Sequence, residues 1–261
     1  MPKFTVHDVE HGQLISLSHQ GQLWLWDCGA TMGHAPTKVA QAEGRGVVDL
    51  LFVTHYDEDH LTGLPELRAR CRISRILRNK SITGAQLAAL KTESGYPLTA
   101  AMKSAIDMFE TYTGTPAPGE YPNIPGVSYT VFHNSYPTDA FDTNNISSVT
   151  VLKVGQTKIV ISSDVEASGW QTLLDKHSIA DSLRGTDVFI ASHHGRENGY
   201  HDDVMRIAAP QCVIMSDYEV RHSTQENMVA RYSKHTSGIQ YKGESRWVLT
   251  TRKDGHISWD L

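Results

Sequence analysis

The stretch Val47–Leu64, VVDLLFVTHYDEDHLTGL, is the most informative part of the sequence. It opens as a nearly continuous apolar run, which is typical of a buried strand. Four potential metal ligands follow at once: His55, Asp57, Asp59 and His60. The carboxyl ends of strands are where α/β proteins bind ligands, and carboxylates crowded together repel one another unless a cation compensates them. The pattern predicts a metal site, with a solvated acidic turn as the alternative.

Further ligands must come from other strand ends, because one short loop cannot complete a two-metal site. Asp164, the pair His193 and His194, and His222 each follow a predicted strand, so all of them can converge on one rim. Asp164 has an alternative as the N-cap of the next helix. One of the paired histidines is expected to face substrate or support a ligand, and His222 alone has an alternative as a surface histidine.

Composition indicates an ordinary globular protein. The chain has 261 residues, 39% of them hydrophobic and 20% charged, with a formal net charge of −5. This charge gives no overall attraction to nucleic acid, so a polyanion would need a local basic patch or a metal. Six basic residues offer such a patch, with a solvated basic face as the alternative: Arg68, Arg70, Arg72, Arg75, Arg78 and Lys80.

The spacing of the cysteines and the hydropathy of the sequence indicate the cellular compartment in which the protein is expected. The three cysteines lie far apart, which argues against a disulfide scaffold and suits a reducing environment. The start of the chain has no apolar run like that of a signal peptide, and no window approaches the length of a membrane span. We therefore expect a cytoplasmic protein without a membrane partner.

The order of predicted elements indicates one α/β domain over residues 1–261, with two packed sheets and helices outside them. An antiparallel meander opens the chain, and a hairpin turns at Gly155-Gln156. The last strands are predicted to form a second hairpin around Lys253-Asp254-Gly255. Two helical stretches within about 81–113 make that segment the best candidate for an insertion.

The motif His55-x-Asp57-x-Asp59-His60 resembles the metallo-β-lactamase signature, in the variant that has Asp where most members have a second His. That variant is characteristic of the metallohydrolase domain of the bacterial competence DNA-uptake protein (ComEC-like). Further elements resemble this family in the same order along the chain: Asp8–Gln13, Leu25–Gly29, Asn144–Val149, Ser162–Asp164, Ser192–Gly195, Arg221–Thr224 and Thr250–Ile257. The resemblance implies an αββα sandwich of two mixed sheets with outer helices.

The resemblance also implies a dinuclear site. The implied metal-binding side chains are His55, Asp57, Asp59, His60, Asn145, Asp164, His193 and His194. His55 and Asp57 would bind one ion, Asp59 and His60 the other, and Asp164 would bridge them. One of the paired histidines would complete the second site, while Asn145, or Asn144 in its place, would approach the first. Oxygen-rich ligands suit Mn²⁺ or Mg²⁺, and Zn²⁺ is equally compatible with imidazole and carboxylate.

These expectations lead to phosphodiester hydrolysis of DNA, RNA or a nucleotide by a metal-activated hydroxide. Asp59 would orient the hydroxide, His222 would assist the leaving oxygen, and His222 and Ser147 would face the substrate. Two alternatives stay open. One is hydrolysis of an ester, lactone or amide at the same metals, and the other is a non-catalytic regulatory or defence-system module. The oligomeric state is left open.

Overall fold

The computed structural model describes residues 1–95, 97–114, 121–219 and 225–261. His222 therefore lies outside the described residues, and the catalytic and substrate-binding expectations for it stay predictions.

Two six-stranded sheets form the centre of the molecule. Sixteen strands are found among the described residues: β1 (Lys3–Val6), β2 (Ile15–His19), β3 (Gln22–Trp26), β4 (Val47–Val48), β5 (Leu50–Val53), β6 (Arg72–Ile73), β7 (Ile76–Arg78), β8 (Val127–His133), β9 (Ser148–Val154), β10 (Thr157–Ile161), β11 (Val188–Ile190), β12 (Cys212–Met215), β13 (Ile239–Tyr241), β14 (Glu244–Arg246), β15 (Val248–Thr250) and β16 (Ile257–Asp260). The first sheet has the order β16-β1-β2-β3-β5-β7, and the second has the order β15-β12-β11-β10-β9-β8.

Both sheets are mixed. The predicted meander β1-β2-β3 is antiparallel, and β5 and β7 then add in parallel. The predicted hairpin β9-β10 is antiparallel, and β11, β12 and β15 continue in parallel. The carboxyl ends of the parallel strands β5, β10 and β11 carry the predicted ligand loops.

Helices cover the outer faces of the two sheets. Ten α-helices are found in the described part of the chain: α1 (Pro36–Glu43), α2 (Glu58–Leu61), α3 (Leu64–Arg70), α4 (Gly84–Glu93), α5 (Ala100–Thr111), α6 (Ala167–Lys176), α7 (Ala180–Leu183), α8 (Asp202–Ala208), α9 (Met228–Ser233) and α10 (Thr251–Asp254). Among the described residues, no helix combines the length and the apolar character that crossing a bilayer requires.

Three apolar clusters give the layers. The central cluster contains facing side chains of both sheets, and in it Trp26 stacks on Phe52 with ring centroids 4.4 Å apart. The Trp26 indole also donates a hydrogen bond to Thr150 Oγ1 of the other sheet, at 3.1 Å. The two outer clusters join each sheet to its helices. The predicted αββα sandwich is therefore confirmed.

The predicted closing hairpin is wrong. β15 pairs in parallel with β12 of the second sheet, whereas β16 pairs antiparallel with β1 of the first sheet. The residues between them form the helical turn α10, where Asp254 Oδ2 accepts the Thr250 N–H at 3.0 Å. Each strand finds its partner in a different sheet, so the segment crosses between layers.

The two helices predicted within 81–113 are confirmed as α4 and α5. Thr83 caps α4 through a reciprocal pair of hydrogen bonds with Gln86, which is the capping-box pattern. The buried face of α5 packs on α3 and α4, within the outer cluster of the first sheet. This packing fixes α4 beside the loop that follows β5.

Candidate metal centre

The loops after β5, β10 and β11 bring six of the predicted ligands together. One half of this cluster, which we call the His60 site, consists of Asp59, His60, Asp164 and His194. Asp164 Oδ1 lies 3.1 Å from His60 Nε2, and its Oδ2 lies 3.6 Å from His194 Nε2. His194 Nε2 lies 3.1 Å from Asp59 Oδ2 and 3.3 Å from His60 Nε2. These separations bracket the roughly 3.3 Å between neighbouring donors of a tetrahedral ion with bonds of about 2.0–2.1 Å.

Both histidines of the His60 site are oriented by a hydrogen bond on the far side of the ring. His60 Nδ1 donates to Asp27 Oδ2 at 2.7 Å, and His194 Nδ1 donates to the Ser216 carbonyl at 2.8 Å. Asp27 is fully buried, and its Oδ1 accepts the Thr54 main-chain N–H at 2.7 Å. Such partners direct Nε2 of each ring into the site, as they do behind metal-ligating histidines.

Strained backbone places these side chains. Ser163, His193 and His194 have φ values of 49°, 50° and 55°, in the left-handed region. Such conformations cost of order 1–3 kcal/mol each and persist where surrounding structure enforces them, often at functional sites. Gly12 shows a second constraint, because a Cβ there would lie 2.5 Å from the Asp59 carbonyl oxygen. The loop after β1 therefore packs directly on the ligand loop.

The electrostatics of the His60 site suit a cation. Burial acts against the charge on His60, but the carboxylates of Asp164, Asp27 and Asp59 raise its pKa well above the usual value. Burial likewise acts against ionised Asp164, but the surrounding histidines hold the pKa of that carboxyl well below its ordinary range. A divalent ion would replace these protons and balance the buried carboxylates. The residues of the His60 site therefore fit a metal ion.

The other half of the cluster, which we call the His55 site, consists of His55, Asp57 and Asp164. His55 Nε2 is buried without a hydrogen-bond partner and lies 3.3 Å from Asp57 Oδ1 and 3.9 Å from Asp164 Oδ2. Lys91 of α4 donates a hydrogen bond to the same Oδ1 of Asp57. The carboxylate expected to bind an ion is therefore already paired with an ammonium group.

Two residues of the Asn144–Val149 element are placed differently from the expectation. Asn145 Oδ1 accepts the main-chain N–H groups of Glu166 and Gly169 at 3.1 and 3.0 Å, and its Nδ2 donates to Asp142. Asn145 thus anchors the start of α6 and is not free to ligate an ion. Ser147 is fully buried and hydrogen-bonds to His55 Nδ1 at 3.0 Å, so it lies behind the His55 ring and not on the surface of the pocket.

Two further alternatives concern Asn144 and Asp164. Asn144 donates to Glu166 Oε1 at 2.9 Å, which ties it to the same helix start. The N-cap residue of α6 is Glu166, so the alternative that Asp164 caps this helix is wrong. Asp164 is 3% exposed and lies among the histidines.

Three residues of the site were not singled out as site residues from the sequence: His11, Lys91 and Arg196. Arg196 donates from Nη1 to His193 Nε2 and from Nη2 to His11 Nε2, both at 2.9 Å. His193 therefore binds the guanidinium, while His194 faces the His60 site. Burial, followed by His194, lowers the pKa of His11 to about 4. Arg196 had a local signal, because it directly follows the Ser192–Gly195 element, and His11 lies within the Asp8–Gln13 element.

A pocket of about 490 Å³ opens on the cluster. Its lining includes Asp59, Asp164 and Arg196, together with Lys91 and Thr99 of the α4–α5 segment. Most of the six basic residues lie elsewhere. Arg75, Arg78 and Lys80 line a separate groove of about 340 Å³ beside β7, and Arg68 donates to the Ser104 carbonyl.

Comparison with known proteins supports the fold. No family model matches the chain. A 75-residue stretch is 37% identical to part of ribonuclease BN of Escherichia coli K12. The match covers 28% of this chain and 24% of that protein. The metallo-β-lactamase fold protein YhfI from Bacillus subtilis has a TM-score of 0.55 at 13% identity over 100% of both chains. Igni18, a metallo hydrolase from the archaeon Ignicoccus hospitalis, has a TM-score of 0.51 at 12% identity over 99% of both. The chain has the metallo-β-lactamase fold.

Proposed function

We propose that this protein is a metal-dependent phosphodiesterase that acts on RNA, DNA or a nucleotide. The observation that carries the proposal is the position of Arg196 on the wall of the pocket that contains Asp59 and Asp164. Its two N–H hydrogen bonds go to imidazoles, and the low pKa of His11 keeps that ring uncharged at neutral pH. The positive charge of Arg196 is therefore not neutralised by its partners and is available to a phosphoryl group. Guanidinium binds such groups in a planar, often bidentate geometry.

The partial similarity to ribonuclease BN supports the same substrate class, although it covers about a quarter of each chain. The likeness to YhfI and Igni18 supports the fold that would present the site. The competence-type resemblance of the His55-x-Asp57-x-Asp59-His60 motif agrees with a phosphodiester substrate and remains part of the proposal.

Asp59, His60, Asp164 and His194 would hold a divalent ion, which when bound supplies Lewis acidity and a nucleophilic hydroxide at neutral pH. Two imidazoles and two carboxylates serve either Zn²⁺ or Mn²⁺. The Asp59 side chain is 25% exposed against 5% for Asp164, so Asp59 faces the pocket and would also orient the attacking water.

Arg196 would bind the phosphoryl oxygens and stabilise the charge that develops on them. Lys91 lines the same pocket and adds positive potential, although its nearest partner is Asp57. Proton donation to the leaving oxygen stays assigned to His222, which lies outside the described residues.

The test is a metal-by-substrate screen. Purified protein is assayed with Mn²⁺, Mg²⁺ or Zn²⁺ against bis-p-nitrophenyl phosphate, single-stranded RNA, DNA, p-nitrophenyl acetate and a lactone. We expect phosphodiester turnover that requires metal and that falls by about 10³-fold in Asp164→Asn, equivalent to the several kcal/mol that a metal contributes. Lys103→Met, an exposed change on α5, serves as the control. Ester or lactone turnover without phosphodiester turnover would contradict the proposal.

A further inference from the structure

Lys91 is a buried lysine beside the candidate metal centre. It is 4% exposed, and it lies on α4, which belongs to the helical segment 81–113. Removing an ammonium group from water costs several kcal/mol unless its charge is compensated. Here Asp57 Oδ1 provides that compensation, and Thr143 Oγ1 accepts a second hydrogen bond at 3.1 Å. The lysine is thus held in place from two sides.

The carboxylate oxygen that Lys91 binds is also the oxygen that faces His55. Asp57 Oδ1 lies 3.3 Å from His55 Nε2, the ring nitrogen that has no hydrogen-bond partner. An ion shared by His55 and Asp57 would lie close to the ammonium group. Two like charges at such short range repel strongly in a partly buried site. Lys91 and a metal ion therefore compete for Asp57.

The His55 site also lacks a further ligand of its own. The amide of Asn145 is bound to the start of α6, and Ser147 is bound to the far nitrogen of His55. Asp164 remains, but its carboxylate also contacts His60 and His194 of the neighbouring site. The described residues of the His55 site thus fit a tightly bound ion poorly, in contrast to the His60 site.

We propose that the Lys91 ammonium takes the place of a second divalent ion. The protein then holds one ion tightly at the His60 site, and a second ion binds weakly because it must displace Lys91 from Asp57. A side chain of the 81–113 segment thereby controls how many ions the centre holds. This inference rests on metal binding at the His60 site and does not depend on the phosphodiester substrate.

The experiment measures metal binding without any substrate. Full-length protein is stripped with a chelator, titrated with Zn²⁺ by calorimetry, and analysed for retained zinc after gel filtration. The wild type should retain one ion per chain, with a second, weaker binding step. Lys91→Met removes the ammonium but keeps an apolar stem, and it should retain two ions with the second Kd tightened by roughly 10–100-fold.

Two matched variants serve as controls. Lys103→Met removes an exposed lysine from the same segment, and Lys91→Arg keeps the positive charge; both should retain one ion. Circular dichroism checks that each variant is folded, and the wild-type titration stands even if Lys91→Met does not fold.

Three results would overturn the inference. Two zinc ions bound tightly by the wild type would show that Lys91 does not exclude the second ion. One retained ion in folded Lys91→Met would show that the lysine is not the competitor. Two ions retained by Lys91→Arg would show that positive charge is not the cause. A failed phosphodiesterase assay with these zinc results intact would overturn only the proposed function.

Discussion

The His60 site and the His55 site share Asp164 and lie next to each other, yet they differ in what stands behind their ligands. Behind His60 is the buried carboxylate of Asp27, which accepts the ring N–H and increases the basicity of the ring. Behind His55, in the part of the chain that the structure describes, is the neutral hydroxyl of Ser147. The aspartate that faces His55 is paired with Lys91, whereas Asp59 is paired with histidines.

A ligand motif fixes where its side chains lie, whereas the charged groups around them come from other parts of the chain. All four side chains of His55-x-Asp57-x-Asp59-His60 lie at the candidate centre, but only Asp59 and His60 belong to the half whose residues fit a divalent ion. In the His55 site, the positive charge beside Asp57 comes from Lys91, which lies about thirty residues further along the chain.

The largest difference in zinc binding is expected between variants of the adjacent residues His193 and His194, because only His194 belongs to the His60 site. His194→Ala removes a ring nitrogen that lies 3.1–3.6 Å from Asp59, His60 and Asp164. It should abolish tight zinc binding and lower kcat/KM by about 10³-fold. His193→Ala should retain its zinc, because its Nε2 accepts from Arg196. Zinc loss in both variants would remove the distinction that we draw between them.

A smaller loss is expected at Arg196, which lies on the wall of the pocket but outside the His60 site. Arg196→Lys keeps the charge and loses the planar donor pair, so kcat/KM for bis-p-nitrophenyl phosphate should fall by about 10²–10³-fold. Zinc content, measured on the same sample, should not change. A parallel fall in zinc content would indicate that Arg196 maintains the metal centre and does not bind the substrate.

The groups behind the ligands give the most direct contrast between the two halves. Asp27→Asn should weaken the tight zinc step by about 10–100-fold, because the amide cannot polarise His60 as the carboxylate does. Ser147→Ala should leave that step unchanged, since Ser147 contacts His55. Both are read from the same calorimetric titration. An equal effect of the two changes on the tight step would mean that the halves are not distinct.

The smallest effect concerns stability in acid. His11 has a pKa of about 4 in the folded protein, below its ordinary 6.5, so the unfolded chain binds more protons there between these values. Metal-free protein should therefore lose stability at this position as the pH falls from 6.5 to 4. The side chain is 28% exposed, so the loss avoided by His11→Gln should be about 1–2 kcal/mol after screening. Urea unfolding of the wild type and of His11→Gln at pH 7 and pH 4.5 measures this difference. Equal losses of unfolding free energy in the two proteins would refute the low pKa of His11.

Much of the fold was predictable because its strands are short apolar runs that stop at turn residues or at polar clusters. The loops after β5, β10 and β11 were predictable for the same reason, and Asp164 and His194 lie in them. The prediction of a closing hairpin was wrong because strand pairing depends on which sheet offers a partner. Pattern alone shows that Val248–Thr250 and Ile257–Asp260 are strands and leaves their partners open.

The partners of the ligands were harder to predict. Lys91 lies near the end of an ordinary capped helix, where a lysine is favourable without any further contact, so nothing local marks it as a neighbour of Asp57. Asn145 matched its motif in sequence, but its amide is taken by the first turn of α6, a contact that appears only when the chain is folded. Such pairings depend on long-range packing.

One tightly held ion at the His60 site is tested most directly by a crystal structure of the full-length protein grown with stoichiometric Zn²⁺, with anomalous differences measured at the zinc edge. We predict one strong peak bounded by Asp59, His60, Asp164 and His194, with Lys91 still bonded to Asp57. A single peak at His55 and Asp57 with Lys91 displaced, and none at the His60 site, would show that the His60 site is not the tight one.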